Sequence, residues 1–237
     1  RPKVRNAFNG QLRAALLQAV QSVNEDEAIR VVVLTGAGEG FCAGADLSDG
    51  MPPSITEQIE SEYKPFLMGI ADSSKIWMAA VNGVAAGIGG ALAMTCDLVV
   101  MDEDASVYLA FAAIGLIPDG GTTWHLLHAM GYQRAFETIV EGKRIPASEC
   151  LGLGIANRVV ARNAAVGEAA AWAEKLATGA PLAQTAAKKV LRHVGRMRLQ
   201  DAITLEARAQ QPLTESEDFR NAVAAFLAKQ KPVFTGK

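Results

Sequence analysis

Ile76-Trp77-Met78-Ala79-Ala80-Val81 is an apolar run, and the residues after it decide the fold. Asn82-Gly83 interrupts the run. Gly87-Ile88-Gly89-Gly90-Ala91-Leu92-Ala93-Met94 then reads as a core helix with a glycine-rich start, and Asp97–Met101 reads as another buried strand. Short apolar runs of this kind suit strands covered on both faces. A strand, a helix and a second strand in succession imply a βαβ unit, with parallel strands and a right-handed crossover.

Outward from this unit the same alternation continues. Val31-Val32-Val33-Leu34 is a β-branched run that predicts a further parallel strand. Before it, residues 9–23 carry Leu12, Ala15, Leu16, Ala19 and Val23 at helical spacing, with Asn9 placed to cap. Residues 54–70 predict a second helix, with Ile55, Ile59, Tyr63, Phe66 and Ile70 on one face. After Thr122 only Asn157–Val160 reads as extended. The segments 164–178, 181–193 and 199–229 read as helices, the last kinked or broken by Pro212. The expected organisation is an α/β core over residues 1–165 and a helical segment over 166–237. Arg1-Pro2 leads almost at once into helical pattern, with no strand ahead of it.

Composition narrows the function classes. The 237 residues carry 23 Lys and Arg against 25 Asp and Glu, a formal charge of −2, and half are hydrophobic. No basic stripe favours nucleic acid or an anionic membrane surface. The longest apolar stretch, 79–101, is interrupted by Asn82, glycines and Asp97, so no membrane span is expected. Cys42, Cys96 and Cys150 have neither an even count nor metal-ligand spacing, which fits a reducing cytoplasm.

Two glycine-rich turns come after strands: Gly36-Ala37-Gly38-Glu39-Gly40 and Gly87-Ile88-Gly89-Gly90. The first is out of register with the dinucleotide fingerprint, and no helix succeeds it. No Gly-Lys-Ser/Thr is present, so a P-loop is excluded. Each turn has a structural reading, tight turns and close packing. Each also has a functional one, since backbone N–H groups at a helix N-terminus can face an anion.

Three stretches together carry more. They are Phe41-Cys42-Ala43-Gly44-Ala45-Asp46-Leu47, then Ala80 through Ala93 with Cys96-Asp97, then Gly115-Leu116-Ile117-Pro118-Asp119-Gly120-Gly121-Thr122. In this order and spacing they resemble the enoyl-CoA hydratase/isomerase (crotonase) superfamily. The opening Arg1–Asn9 and the stretch Gly152–Val160 resemble it too, so the likeness covers essentially the whole chain. The resemblance implies a crotonase-type ββα spiral with a helical C-terminal trimerisation segment. It implies a homotrimer or a dimer of trimers, consistent with the apolar Leu191, Leu199, Ile203, Leu205, Val223, Phe226 and Leu227. In that family a strand precedes the position of Arg1-Pro2, so the N-terminal strand is expected to be missing here.

The resemblance also implies chemistry. The substrate is an acyl-CoA thioester, with coenzyme A entering as part of it and no covalently bound cofactor or metal. The thioester oxygen lies between two backbone N–H groups, matching Ala45 and Ile88. Such donors are typically worth roughly 3–4 kcal/mol each to an oxyanion. Ile88 departs from the glycine usual there, so its side chain must turn away. Hydratases of the family hold a water with two glutamates; this chain has Ala91 and Phe111 at those positions. The carboxylate left in that neighbourhood is Asp119, where some isomerases of the family place an aspartate, including those acting on phenylacetyl-CoA-derived rings. Asp119 also precedes a helix starting near Thr122, and capping that helix is its structural alternative. Ala43, Asp46, Leu47 and Phe111 are expected beside the substrate, with Arg5 and Lys229 meeting CoA phosphates. Residues 50–75 are expected to shape the acyl pocket but carry no chemical motif.

The expected activity is therefore acyl-CoA isomerisation through a thioester enolate. A hydratase with an atypical site and a non-catalytic acyl-CoA- or protein-binding member are the alternatives. His125 and His128 have metal-compatible spacing but no third ligand in sequence, Cys42 reads as a buried filler, and Asp102-Glu103-Asp104 reads as a solvated turn.

Overall fold

The computed structural model describes residues 1–50, 52–195 and 197–237. Four parallel strands form the main sheet in the order β1 (Val31–Thr35), β2 (Ile76–Val81), β4 (Leu98–Asp102) and β7 (Arg158–Val160). A second sheet has the order β3 (Val84–Ala86), β5 (Ser106–Tyr108) and β6 (Arg144–Pro146), with β3–β5 parallel and β5–β6 antiparallel. Its three-residue strands have no counterpart in the sequence reading.

Helix α1 (Gly10–Glu25) begins where Asn9 accepts the Leu12 N–H at 2.9 Å. Its buried face is Leu12, Leu16, Leu17 and Val20 with Arg13, while Ala15 and Ala19 are exposed. The inward stripe is thus rotated from the expected one, because Arg13 turns in to reach Phe8 O and Glu62. α2 (Ile55–Gln58) and α3 (Lys64–Ala71) are joined by a π-turn, Ile59–Tyr63. The turn has a local cause. Pro65 has no N–H, and its ring disfavours an α-helical carbonyl four residues back. The Lys64 N–H accordingly donates to Ile59 O, five residues back.

α4 (Ile88–Thr95) is wholly buried and packs under α5 (Thr122–Val140), which is broken at Gly131. α6 (Ala147–Gly152) leads to β7. α7 (Ala165–Ala177) lies across the main sheet, where Ala165, Ala169, Trp172 and Leu176 meet Met78, Ala80 and Val100. The chain continues through α8 (Pro181–Val194), α9 (Leu199–Thr214) and α10 (Glu217–Leu227). Pro212 does not break the helix expected over 199–229; it lies inside α9. The break falls at Glu215–Ser216, where the Ser216 hydroxyl accepts the Phe219 N–H and starts α10.

The segment 102–104 is not a solvated turn throughout. Asp102 is 1% exposed, and its Oδ1 accepts the N–H groups of Ala164 (3.0 Å) and Ala165 (2.8 Å) at the start of α7. A carboxylate at a helix N-terminus satisfies donors the helix cannot.

Candidate active site

The loop after β1 is held against β2 and β3. Asn82 donates to Gly36 O and Gly38 O at 2.9 Å each. Farther on, the Cys42 N–H donates to Val84 O and the Ala86 N–H to Cys42 O. This pairing brings Gly44 (φ 93°) against Gly87 (φ 51°). A Cβ on Gly44 would lie 3.1 Å from Ala86 O and 3.8 Å from the Gly87 Cα. Glycine is required at Gly44 for the positive φ and the close approach, and at Gly87 for the positive φ.

The residues next after these glycines each present an N–H. The Phe8 N–H donates to Gly44 O (2.8 Å) and the Asp46 N–H to Phe8 O (2.9 Å). In extended backbone these bonds straddle Ala45 and turn its own N–H the other way. Ile88 is the first residue of α4, so its N–H has no partner within the helix. Neither N–H finds an acceptor among the described residues. The positive end of the α4 dipole adds to the pair's preference for negative charge. The Ile88 side chain points toward Gly120. It is buried beneath Gly120, whose hypothetical Cβ would lie 2.3 Å from Ile88 Cδ1 and 2.9 Å from the Ala91 Cβ. Phe111 lies over Gly87, its Cζ 3.6 Å from where a Cβ would be.

Asp119 is next to Gly120 and so stands above the start of α4. Its backbone carbonyl, not its carboxylate, accepts the Thr122 N–H, and no side chain caps α5. Side-chain capping is therefore overturned. Oδ1 is buried and has no partner among the described residues. Burial raises the carboxyl's pKa above its ordinary value. Leu116 is 50% exposed and does not supply that burial. The cover beside Asp119 comes from Gly120 against Ile88, Ala91 and Leu67.

A residue that the sequence offered only as core joins them. Tyr63 closes the π-turn and is 3% exposed, yet its hydroxyl has no partner among the described residues. Its ring meets Phe8 and Phe66 edge-on at 6.1 and 6.0 Å, and the Arg13 guanidinium lies 5.4 Å from its centre. The one signal in the sequence is a hydroxyl on an otherwise apolar helix face.

Other expected residues lie at varying distance from this group. Ala43 and Leu47 are exposed on the loop that carries Ala45. The Asp46 carboxylate is already engaged by Ser48 and by Arg1 at 2.8 Å, which together lower its pKa. Arg5, at φ 49°, lines a polar cavity of about 460 Å³ with Glu39, Asn82, Asp104, Arg144 and Arg162. Lys229 comes just after α10, exposed, and has no side-chain hydrogen bond or salt bridge to these groups among the described residues. Cys42 is buried, with its thiol pushed up to about 11, as suits a filler. His128 stacks on Trp124 at 4.0 Å beside a groove of about 350 Å³ that holds none of Ala45, Ile88, Tyr63 and Asp119.

The family description "Enoyl-CoA hydratase/isomerase" matches residues 1–237. A 1,2-epoxyphenylacetyl-CoA isomerase of Escherichia coli (strain K12) is 36% identical, over 100% of this chain and 93% of its own length. A 2,3-dehydroadipyl-CoA hydratase of the same organism is 32% identical, with 100% and 93% covered. The structure of an enoyl-CoA hydratase from Bacillus anthracis superposes with a TM-score of 0.94 at 31% identity, covering 100% of this chain and 93% of that one. Match over the full length, in sequence and in fold alike, makes this chain a member of the enoyl-CoA hydratase/isomerase family.

Proposed function

We propose that the chain is an acyl-CoA isomerase that moves a double bond, or rearranges a ring-derived acyl group, through a thioester enolate. The observation that carries the reading is the half-buried Asp119 carboxylate, one oxygen of which is sealed off without a partner, beside two unpaired backbone donors. In this reading the Ala45 and Ile88 amides hold the thioester oxygen as negative charge develops on it. Asp119 removes a proton from one carbon of the acyl chain and returns it two carbons away. One base suffices, because isomerisation has no net proton change. Ala43, Leu47 and Phe111 flank the thioester, Asp46 fixes the loop, and Arg5 and Lys229 meet the phosphates of coenzyme A, which enters only as part of the substrate.

Hydration would also need a positioned water. Ala91 is buried against Gly120 and Phe111 is an aromatic, so neither position offers a carboxylate to hold one. The 36%-identical isomerase supports this side of the family's chemistry, while the 32%-identical hydratase keeps the other side in view.

Incubation with a 3-enoyl-CoA in deuterated buffer tests the reading. Isomerisation is expected, with deuterium at the γ carbon in those turnovers where the Asp119 carboxyl exchanges with solvent before it returns its proton. Asp119→Asn should lose about 10²–10⁴-fold in rate while still binding CoA esters. The acid limb of kcat/KM should lie above the ordinary carboxyl value of 3.8, because the base works only when ionised. Robust hydration of crotonyl-CoA, or full isomerase rate in Asp119→Asn, would overturn it.

A further inference from the structure

The proposed mechanism uses Asp119 and two amides and leaves Tyr63 unused. The position of Tyr63 is fixed from two sides. On one, Phe8 bridges the Tyr63 ring to the loop of Ala45, since Phe8 pairs with Gly44 and Asp46 and meets Tyr63 edge-on at 6.1 Å. On the other, Leu67 is one turn along α3 from Tyr63 and shares its face. A Cβ on Gly120, the neighbour of Asp119, would lie 3.4 Å from Leu67 Cδ1. The Tyr63 ring is thus tied through Phe8 to the loop of Ala45, on the helix face that Leu67 presents toward Gly120. The Asp119 carboxylate is near enough to reinforce the upward shift that burial gives the phenol, against the pull of Arg13.

Packing does not explain the hydroxyl. Phe8 and Phe66 meet the ring, and the Arg13 guanidinium lies beside it and draws on the phenol without a hydrogen bond of regular geometry; phenylalanine would fill the same space without burying a polar atom. An unpartnered buried hydroxyl is unfavourable unless something that binds the protein satisfies it. Because the phenol stays protonated at neutral pH, what it offers a ligand is an O–H donor.

We propose that the Tyr63 hydroxyl donates to an oxygen atom carried on the acyl group, which makes the substrate class an oxygen-substituted acyl-CoA. This deepens the acyl-CoA reading and rests on it. The donor selects substrates by leaving its own hydrogen bond unmade when the oxygen is missing. Tyr63 is a specificity-determining residue in this account, and Asp119 remains the base.

Binding of two unreactive thioesters tests the idea without relying on turnover. Phenylacetyl-CoA and (3-hydroxyphenyl)acetyl-CoA differ by one oxygen, cannot undergo double-bond isomerisation, and hold the phenol out of reach of the thioester. By calorimetry the parent should favour the hydroxylated ester by about tenfold or more. Tyr63→Phe, checked for an unchanged melting profile with a bound CoA ester, should bind the two esters within about twofold of one another. Equal affinities in the parent overturn the proposal, as does a preference that survives in Tyr63→Phe. Equal weakening of both esters in Tyr63→Phe also overturns it, by making the hydroxyl a general CoA contact. Failure of the parent to bind either ester overturns the acyl-CoA reading itself. Loss of isomerase activity alone, with the preference intact, counts against that activity and leaves Tyr63's role standing.

Discussion

One oxygen of Asp119 is buried without a protein partner, a condition that costs about 1–3 kcal/mol. Its raised pKa carries a sign. Below the ordinary carboxyl value the group is neutral in folded and unfolded chains alike, and nothing is lost. As pH rises through the raised folded value the unfolded chain ionises more readily, and stability falls and stays lower. Asp119→Asn should therefore melt above the parent at pH 7, and the gap should narrow as the pH is lowered toward 4. A lower melting temperature at pH 7 would mean that the carboxylate supports the fold. His125 has the opposite sign. Burial, then the nearby Arg192 and His128, lower its pKa from 6.5 to about 4. Its contribution is whole above 6.5 and drains as pH falls through about 4, by at most on the order of 3 kcal/mol. His125→Gln should flatten the fall in denaturant midpoint between pH 7 and 5.

At the scale of elements, Asp102 is the anchor of α7. Asp102→Ala removes the acceptor for two N–H groups and should cost about 2 kcal/mol, read as a lower urea midpoint at unchanged slope. Asp102→Asn should recover much of it. Runs such as Ile76–Val81 are readable as strands because five or six apolar residues with no helical period leave few alternatives. The three-residue strands β3, β5 and β6 are not, since three residues carry no period. Sequence alone puts the break between α9 and α10 at Pro212, the strongest helix breaker in view. Pro212 is instead held within α9, and the Ser216 cap decides the boundary. Ala45, Ile88 and Asp119 are candidates through the resemblance that the glycine-rich stretches around them carry. Tyr63 is legible as a core residue from its spacing but not as a site residue, because nothing in the sequence says that its hydroxyl is left without a partner.

For the whole molecule, the C-terminal helices leave apolar side chains uncovered: Leu199 is 77% exposed, Phe226 80% and Leu227 76%. Surfaces of this kind are seldom left to water. This supports the proposal, implied by the resemblance, of a trimer or a pair of trimers. Sedimentation at micromolar concentration should give three or six times the 25.0 kDa chain mass, and Phe226→Glu with Leu227→Glu should reduce it toward one. A single-chain mass for the parent would remove the proposal. Among the described residues no helix is long and apolar enough to cross a membrane.

The π-turn of Ile59–Tyr63 holds one residue more than an α-helical turn needs. Deleting a residue from 60–62 would let the segment close as an α-helix. Because the wide turn takes up its extra residue locally, the helix on either side would keep its phase, with Ile59 still packed on the core. Tyr63, Phe66 and Ile70 would keep their seats. A change of length at this point is therefore absorbed within the turn and leaves residues 55–59 presenting the same side chains. An in-frame loss of three nucleotides here would be borne by the fold, with the unpaired amides and Asp119 left as they are.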